Sequence, residues 1–462
     1  MTQAPAAGRR AVAPWALAAV AIGALLLLGT AALGPSAASP ALPAGTGWRA
    51  ALPPWSLGIA VTSGLTTVLL DAGYVVGAVG VALGLWAAYR GETVPRTAIL
   101  IACGAAVVAA FVPPLGSADH LSYAAYGRIA AAGGDPYSVP PVDWAGGHDP
   151  VTSAVEPPWT RTPSVYGPIA TMVQAGTSLL GGDSVRATVW FWQLVCLAAW
   201  LAVGFMLLRI SRTPQERSRA AWVWVLNPVL LGLLLVGAHV DVLAAAFGLG
   251  AIVLAVRRPL DAGALLGAAV GVKITFALVG PAVLYALWRH GRRLAWPTAV
   301  AGVVGAALVL VPAQLFVGSN LLTQLERARR YVSLASPWRP IVDEVTGPVA
   351  NDVVRQWVVT LTPWVVALFV LVIAVVVHRW SSAPSRRAEA PLDPRAVTHD
   401  AATATVVLGT AYVLATPYTL PWYDALAWAP LALVAVPVLD AVLVLRLVTY
   451  AVAYVPGRVL GS

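Results

Sequence analysis

The sequence predicts an all-α, polytopic integral membrane protein, and three observations carry that reading. Of its 462 residues, 59% are hydrophobic and only 11% charged, where a soluble domain carries about 25% charged residues. Mean hydropathy is +0.78. Apolar runs of roughly 20 residues, the length that crosses a bilayer as a helix, recur along the whole chain. The reading is one polytopic domain over residues 1–462 with about thirteen membrane helices, roughly 11 to 15.

The net charge of +9 comes from arginines clustered between apolar runs. That is the bias of cytoplasmic loops and argues against nucleic acid as a partner. The two cysteines, Cys103 and Cys196, each lie inside an apolar run. They form neither a disulfide framework nor a metal pattern.

The first apolar run follows Arg9-Arg10 and ends near Gly34. It is longer than a signal-peptide core, so it reads as a span with the N-terminus inside, although Ser36 to Ser39 resembles a cleavage site. A second span ends near Tyr89, before Arg90 and Arg96. The third, Thr97 to Leu115, has no charged residue and runs outward. Residues 116–166 form the first large outer loop, rich in acidic residues. The apolar segment after Tyr166-Gly167-Pro168 is too short to span. Counting it as a span would put Arg209, Arg212, Arg217 and Arg219 outside, so it reads as interfacial or re-entrant.

Spans at about 186–209, 221–237 and 240–256 follow, the last two meeting at Gly237-Ala-His-Val-Asp241. Two short apolar pieces joined at Gly271-Val272-Lys273 read as a helical hairpin with Lys273 near its outward tip. A second outer loop, 318–356, holds Arg327, Arg329, Arg330, Trp338, Arg339, Asp343 and Glu344. An inner loop, 379–400, holds Arg386 and Arg387. Two spans then meet at Thr416-Pro-Tyr-Thr-Leu-Pro-Trp-Tyr-Asp424, and an apolar segment at about 440–455 closes the chain.

The distinctive polar residues gather on one predicted face: Asp119, Tyr123, Arg128, His239, Asp241, Lys273, Trp338, Arg339, Tyr423 and Asp424. Asp119 is the first ionisable group after the third apolar run. Asp119, Tyr123 and Tyr126 have the spacing of one helical face, which Gly133-Gly-Asp-Pro136 terminates. The carboxylate reads either as a helix cap or as a base that accepts a proton from an attacking hydroxyl. Lys273 is the single lysine among 29 basic residues. An ammonium in a membrane helix costs about 2.5–3.5 kcal/mol on insertion scales, which a phosphate would offset and snorkelling would avoid. Arg128 reads as a second phosphate contact or a loop-fixing ion pair. His239 and Asp241 read as cap residues or substrate contacts, or, with Asp119 and His120, as ligands for a divalent metal, which nothing else in the sequence supports. Tyr137, Tyr166, Trp338, Trp422 and Tyr423 read as an interfacial aromatic belt or as sugar-stacking rings.

The ordered pieces Ser117-Ala-Asp-His-Leu-Ser-Tyr-Ala-Ala-Tyr-Gly-Arg128, Gly133-Gly-Asp-Pro-Tyr137, Tyr166-Gly-Pro168, Asn227-Pro-Val-Leu-Leu231, Gly237-Ala-His-Val-Asp241, Gly271-Val-Lys273 and Pro421-Trp-Tyr423 resemble the actinobacterial polyprenol-phosphomannose-dependent α-1,6-mannosyltransferases, a branch of the GT-C glycosyltransferases. The resemblance implies a GT-C fold in the cell membrane and a polyprenyl-phosphate sugar donor, most often mannose. It implies inverting transfer to a mannan or glycolipid on the outer face, with Asp119 as base. Lys273 and Arg128 are then expected at the donor phosphate, and His239, Asp241, Tyr123, Tyr137, Tyr166, Trp338, Arg339, Trp422 and Tyr423 around the sugar or acceptor. No resident cofactor is expected. At the tip, Val240 stands where the family commonly has Asn. The competing readings are a transporter or flippase for a lipid-linked saccharide, and a non-catalytic assembly partner. The first predicts polar residues on both faces and along a mid-membrane path, where this sequence shows few charges apart from Asp71.

Overall fold

The computed structural model describes residues 11–317, 320–328, 331–333, 336–340, 351–380 and 392–454. Arg9, Arg10, Arg329, Arg330, Asp343, Glu344, Arg386 and Arg387, which the sequence places in loops, lie outside the described residues. The regular elements are all helical. They are α1 (Ala13–Leu33), α2 (Ser63–Tyr89), α3 (Arg96–Ala109), α4 (Asp119–Ala131), α5 (Pro168–Gly181), α6 (Val185–Ile210), α7 (Pro214–Ala220), α8 (Pro228–Leu230) and α9 (Asp241–Leu254). There follow α10 (Pro259–Val272), α11 (Val279–His290), α12 (Arg292–Val317), α13 (Asn320–Ala328), α14 (Asn351–Trp380), α15 (Pro394–Ala415), α16 (Ala425–Leu431) and α17 (Pro437–Ala453).

Among the described residues, six helical stretches are long and apolar enough to cross a membrane: Ala13–Leu33, Ser63–Tyr89, Val185–Ile210, Pro214–Val236, Ala295–Leu315 and Gln356–Arg379. Three more, Arg96–Ala109, Asp241–Leu254 and Pro259–Val272, are apolar but shorter. The sequence count of about thirteen included such short segments. The chain is thus a polytopic, all-helical membrane protein of the architecture expected for GT-C enzymes.

Small residues let the helices approach closely. A side chain on Gly77 of α2 would run into Pro228, and one on Gly23 of α1 would meet the Gly77 backbone. In α10, Gly263 packs on the Gly302 backbone of α12. Lipid-buried helices gain most of their association from such close packing, because apolar burial alone gives no advantage over lipid.

The Pro214–Val236 stretch is the centre of the fold. Its residues from 218 to 236 are all buried in protein. It is not one regular helix: π-helical turns at Ala221–Val225 and Leu231–Val236 flank Asn227-Pro228. Proline removes a backbone donor and breaks the helix. The Asn227 side chain repairs the break by accepting from the N–H groups of Val229 and Leu230, both at 3.1 Å. The offset delivers the chain to the tip at Gly237–Asp241.

Candidate active site

Asp119 is the first residue of α4. The N-cap is Ala118, with no side-chain cap, so the carboxylate is not spent on capping. The helix ends at Ala131, and Gly133 follows at φ +82, a conformation that suits glycine. Ser117 Oγ accepts the Asp119 N–H at 3.2 Å and lies 2.9 Å from His239 Nε2. One turn on, Tyr123 donates its hydroxyl to Asp119 Oδ2 at 3.4 Å. His239 Nε2 is 3.8 Å from that same oxygen. The Asp119 side chain is 13% exposed, so most of it is covered by protein. Burial pushes its carboxyl up to about 6, against the opposing pull of Lys273; Asp241 raises it further, and the Tyr123 hydrogen bond favours the ionised form.

The tip that carries His239 is held from α6. Trp192 donates its indole N–H to the Ala238 carbonyl at 2.7 Å, and Ala238 sits at φ +53. His239 Nδ1 lies 2.5 Å from the Leu233 carbonyl. A carbonyl only accepts, so Nδ1 carries the proton, and in the neutral ring Nε2 accepts from Ser117. The ring also stacks on Trp422, with centroids 3.6 Å apart and planes 14° apart. His239 is therefore a strut between the tip, Ser117 and Trp422, with both nitrogens engaged.

Lys273 sits between α10 and a short 3-10 turn, in extended conformation. It does not snorkel: its side chain is 9% exposed. Its ammonium donates to Asp241 Oδ1 at 2.6 Å and lies 3.4 Å from the centroid of the Tyr423 ring. The other oxygen of Asp241, Oδ2, is buried and has no partner among the described residues. Gly167 donates its N–H to the Val272 carbonyl at 3.1 Å, which brings Tyr166 to the same place. Tyr166 meets Tyr123 edge-on at 5.0 Å.

Pro421–Asp424 is a 3-10 turn that supplies Trp422 and Tyr423. It is fixed from below by an ion pair between Asp424 and Arg446 of α17, both buried. Arg446 also donates to the Val413 carbonyl and lies over the Tyr450 ring, 4.1 Å from its centroid. Tyr454 meets Trp422 edge-on at 5.2 Å.

The structure thus gathers Asp119, Tyr123, Tyr166, His239, Asp241, Lys273, Trp422 and Tyr423 at one centre. Arg128 and Tyr137 are engaged elsewhere, and Trp338 is engaged at the end of α15. Arg128 is nine residues along α4, about 13 Å by helical rise. It pairs with Asp149 at 2.8 Å and Asp183 at 2.6 Å, so a phosphate would have to displace a carboxylate. Tyr137 is buried and its hydroxyl bonds Thr171 at 2.7 Å, tying the first polar loop to α5. Trp338 donates to the Ala415 carbonyl at 2.8 Å, in the turn that also holds Arg339. Ser117, Trp192, Arg446 and Tyr454 are contributors that sequence reasoning did not select. Among the described residues, no group of three or more His, Cys, Asp and Glu side chains is arranged to hold a metal ion. The two engaged nitrogens of His239 and the Lys273–Asp241 pair do not fit the metal alternative.

Comparison with known proteins identifies the family. Residues 19–289 match the family profile described as alpha-(1->6)-mannopyranosyltransferase, N-terminal domain. Alpha-(1->6)-mannopyranosyltransferase B of Corynebacterium glutamicum is 28% identical over 218 residues, 43% of this chain and 36% of its own length. Alpha-(1->6)-mannopyranosyltransferase A of Mycobacterium tuberculosis is 32% identical over 187 residues, 39% of this chain and 34% of its own. A probable alpha-(1->6)-mannopyranosyltransferase of Mycolicibacterium smegmatis is 28% identical over 295 residues, 59% of this chain and 47% of its own. The chain therefore spans between a third and a half of these three relatives. No solved structure matches. The profile match covers more than half of the chain and includes Asp119, His239, Asp241 and Lys273, and the chain belongs to the alpha-(1->6)-mannopyranosyltransferase family.

Proposed function

We propose that this protein transfers a mannosyl residue from a polyprenyl-phosphate donor to a mannan or glycolipid acceptor, at the outer face of the cell membrane and with inversion. The observation that carries the reading is Asp119, whose carboxyl is buried, lifted to about 6 and set beside the Lys273–Asp241 pair. An acid of that strength is largely ionised at neutral pH yet accepts a proton readily. In this reaction the acceptor oxygen bonds the anomeric carbon and its proton passes to Asp119. The bond from that carbon to the phosphate oxygen breaks, and its electron pair leaves on the polyprenyl phosphate.

The remaining residues take roles that fit their contacts. Lys273 has three N–H donors, and its one hydrogen-bond partner among the described residues is Asp241. The others serve the phosphate, whose charge offsets the cost of burying the ammonium. The unpartnered Oδ2 of Asp241 takes a sugar hydroxyl, since a buried carboxylate oxygen without a donor is costly. Tyr123, Tyr166 and Tyr423 wall the sugar. His239 holds Trp422 and Ser117 in place. Arginine clusters at the far helix ends support an inside N-terminus and an outward site.

The test is Asp119→Asn in membranes supplied with labelled polyprenyl-phosphate mannose. Transfer should fall about 10²-fold or more. Undiminished transfer, with the variant present at normal level, would overturn the assignment.

A further inference from the structure

Four aromatic rings run in file from the polar loops to Lys273. Trp159, in the first polar loop, meets Tyr331 at 6.4 Å between centroids. Tyr331 meets Tyr418 at 5.7 Å, and Tyr418 meets Tyr423 at 6.2 Å. Tyr423 lies under the Lys273 ammonium. The rings come from three stretches of chain that are far apart in sequence. They are held in register by the backbone: Ser333 donates its N–H to the Pro417 carbonyl at 3.0 Å and its hydroxyl to the Thr419 carbonyl at 2.9 Å.

The file is open at Tyr331 and becomes more enclosed toward Lys273. Tyr331 is 39% exposed, and Trp159, Tyr418 and Tyr423 are half-buried. A core packing cluster would enclose its rings, as it does Trp200 and Trp224. Half-open tyrosines and a tryptophan present an apolar face beside a hydrogen-bonding edge. A sugar ring is the matching shape, with one face of C–H bonds and a rim of hydroxyls. The chemistry does not fit a prenyl chain, which has no use for phenol hydroxyls. The polar setting at the outer end agrees: Glu156 and Arg161 flank Trp159 in the chain. The helices exposed at the protein's apolar surface show Leu308, Leu315, Leu368 and Leu371 instead.

We infer that Trp159, Tyr331, Tyr418 and Tyr423 form an acceptor track that seats consecutive sugar units of a growing saccharide and leads its reacting end to Asp119. This rests on the function proposed above. The steps of about 6 Å are on the scale of one sugar unit each, so the outer rings serve only acceptors longer than one residue.

The experiment measures acceptor KM for synthetic manno-oligosaccharides of one to four units, with Trp159→Ala, Tyr331→Ala and Tyr331→Phe, and Trp48→Ala as a control on an exposed ring elsewhere. Each alanine variant should raise acceptor KM roughly threefold to tenfold for the longer acceptors, the equivalent of about 0.5–1.5 kcal/mol of aromatic contact. The effect should vanish for the monosaccharide, and Tyr331→Phe should keep most of the wild-type KM. Equal KM at every length, or a rise in donor KM instead, overturns the track. A parallel calorimetric titration of detergent-solubilised protein with the tetrasaccharide, without donor, separates the two readings. Binding that Tyr331→Ala weakens, in a protein that transfers no sugar, supports the track and overturns the function. Transfer by a protein whose oligosaccharide binding ignores both alanine variants overturns the track alone.

Discussion

Lys273 gives its ammonium to Asp241 at 2.6 Å, and the two lie in different elements 32 residues apart. Neither is a surface group. Breaking a buried pair by removing one partner costs about 3–5 kcal/mol, because the other charge is left uncompensated. Lys273→Met and Asp241→Asn should each destabilise the protein by about that amount, while the double variant recovers most of the loss. Thermal denaturation in detergent, followed by helical circular dichroism, reads this directly. Equal losses for single and double variants would show that the charges do not act as a pair.

The Asp119 carboxyl, lifted to about 6, ties rate to pH. A base works ionised, so kcat/KM should rise through about pH 6 and level off above it. Stability runs the other way. A carboxyl whose folded value lies above its unfolded value of 3.8 favours the fold fully below that value and loses the contribution as pH rises through about 6. Asp119→Asn, uncharged throughout, should therefore raise the denaturation midpoint at pH 7.5 and leave it close to wild type at pH 4. A midpoint gain of the same size at both pH values would contradict this.

Gly167 is a place where a single methyl group should disturb chemistry. Its backbone angles suit any residue, but an added Cβ would run into the backbone of Gly271. Gly167→Ala should push the start of α5 away from the Lys273 hairpin, costing about 1–3 kcal/mol as overpacking does. The separation weakens the site as well as the fold, so donor KM should rise. Gly176→Ala, where a methyl group meets open space on the same helix, provides the comparison and should change neither.

Arg446 and Asp424 hold the aromatic turn from α17. Arg446→Met should destabilise the protein by about 3–5 kcal/mol, since it leaves Asp424 buried with no counter-charge. It should also cut transfer more than Trp48→Ala, an exposed ring in the loop before α2. Assays at matched amounts of folded protein distinguish loss of the turn from loss of protein.

The centre was legible where a polar residue stood in apolar surroundings. Asp119, His239, Asp241 and Lys273 could be picked out because a membrane tolerates such groups only when something satisfies them. Their ranking was harder. Arg128 has the chemistry of a phosphate ligand, but Asp149 and Asp183 reach it from two other segments, and no local pattern announces that. The same rule, applied evenly, would have flagged Arg446, a charge in the middle of the last apolar segment. The π-helical turns around Asn227-Pro228 left no periodic signal, because residues 218–236 are buried on every side and need no polar face. The aromatic file crosses loops whose meeting depends on tertiary packing alone.

Tyr454 and Arg446 both belong to the stretch that follows α16, and this bears on biogenesis. When synthesis has reached the end of α16, Asp119, His239, Asp241, Lys273 and the Pro421–Asp424 turn have all been made. At that stage Asp424 lacks its counter-charge and Trp422 lacks the ring that braces it. The turn that meets His239 and Lys273 thus takes its counter-charge and its brace from chain that is made after it.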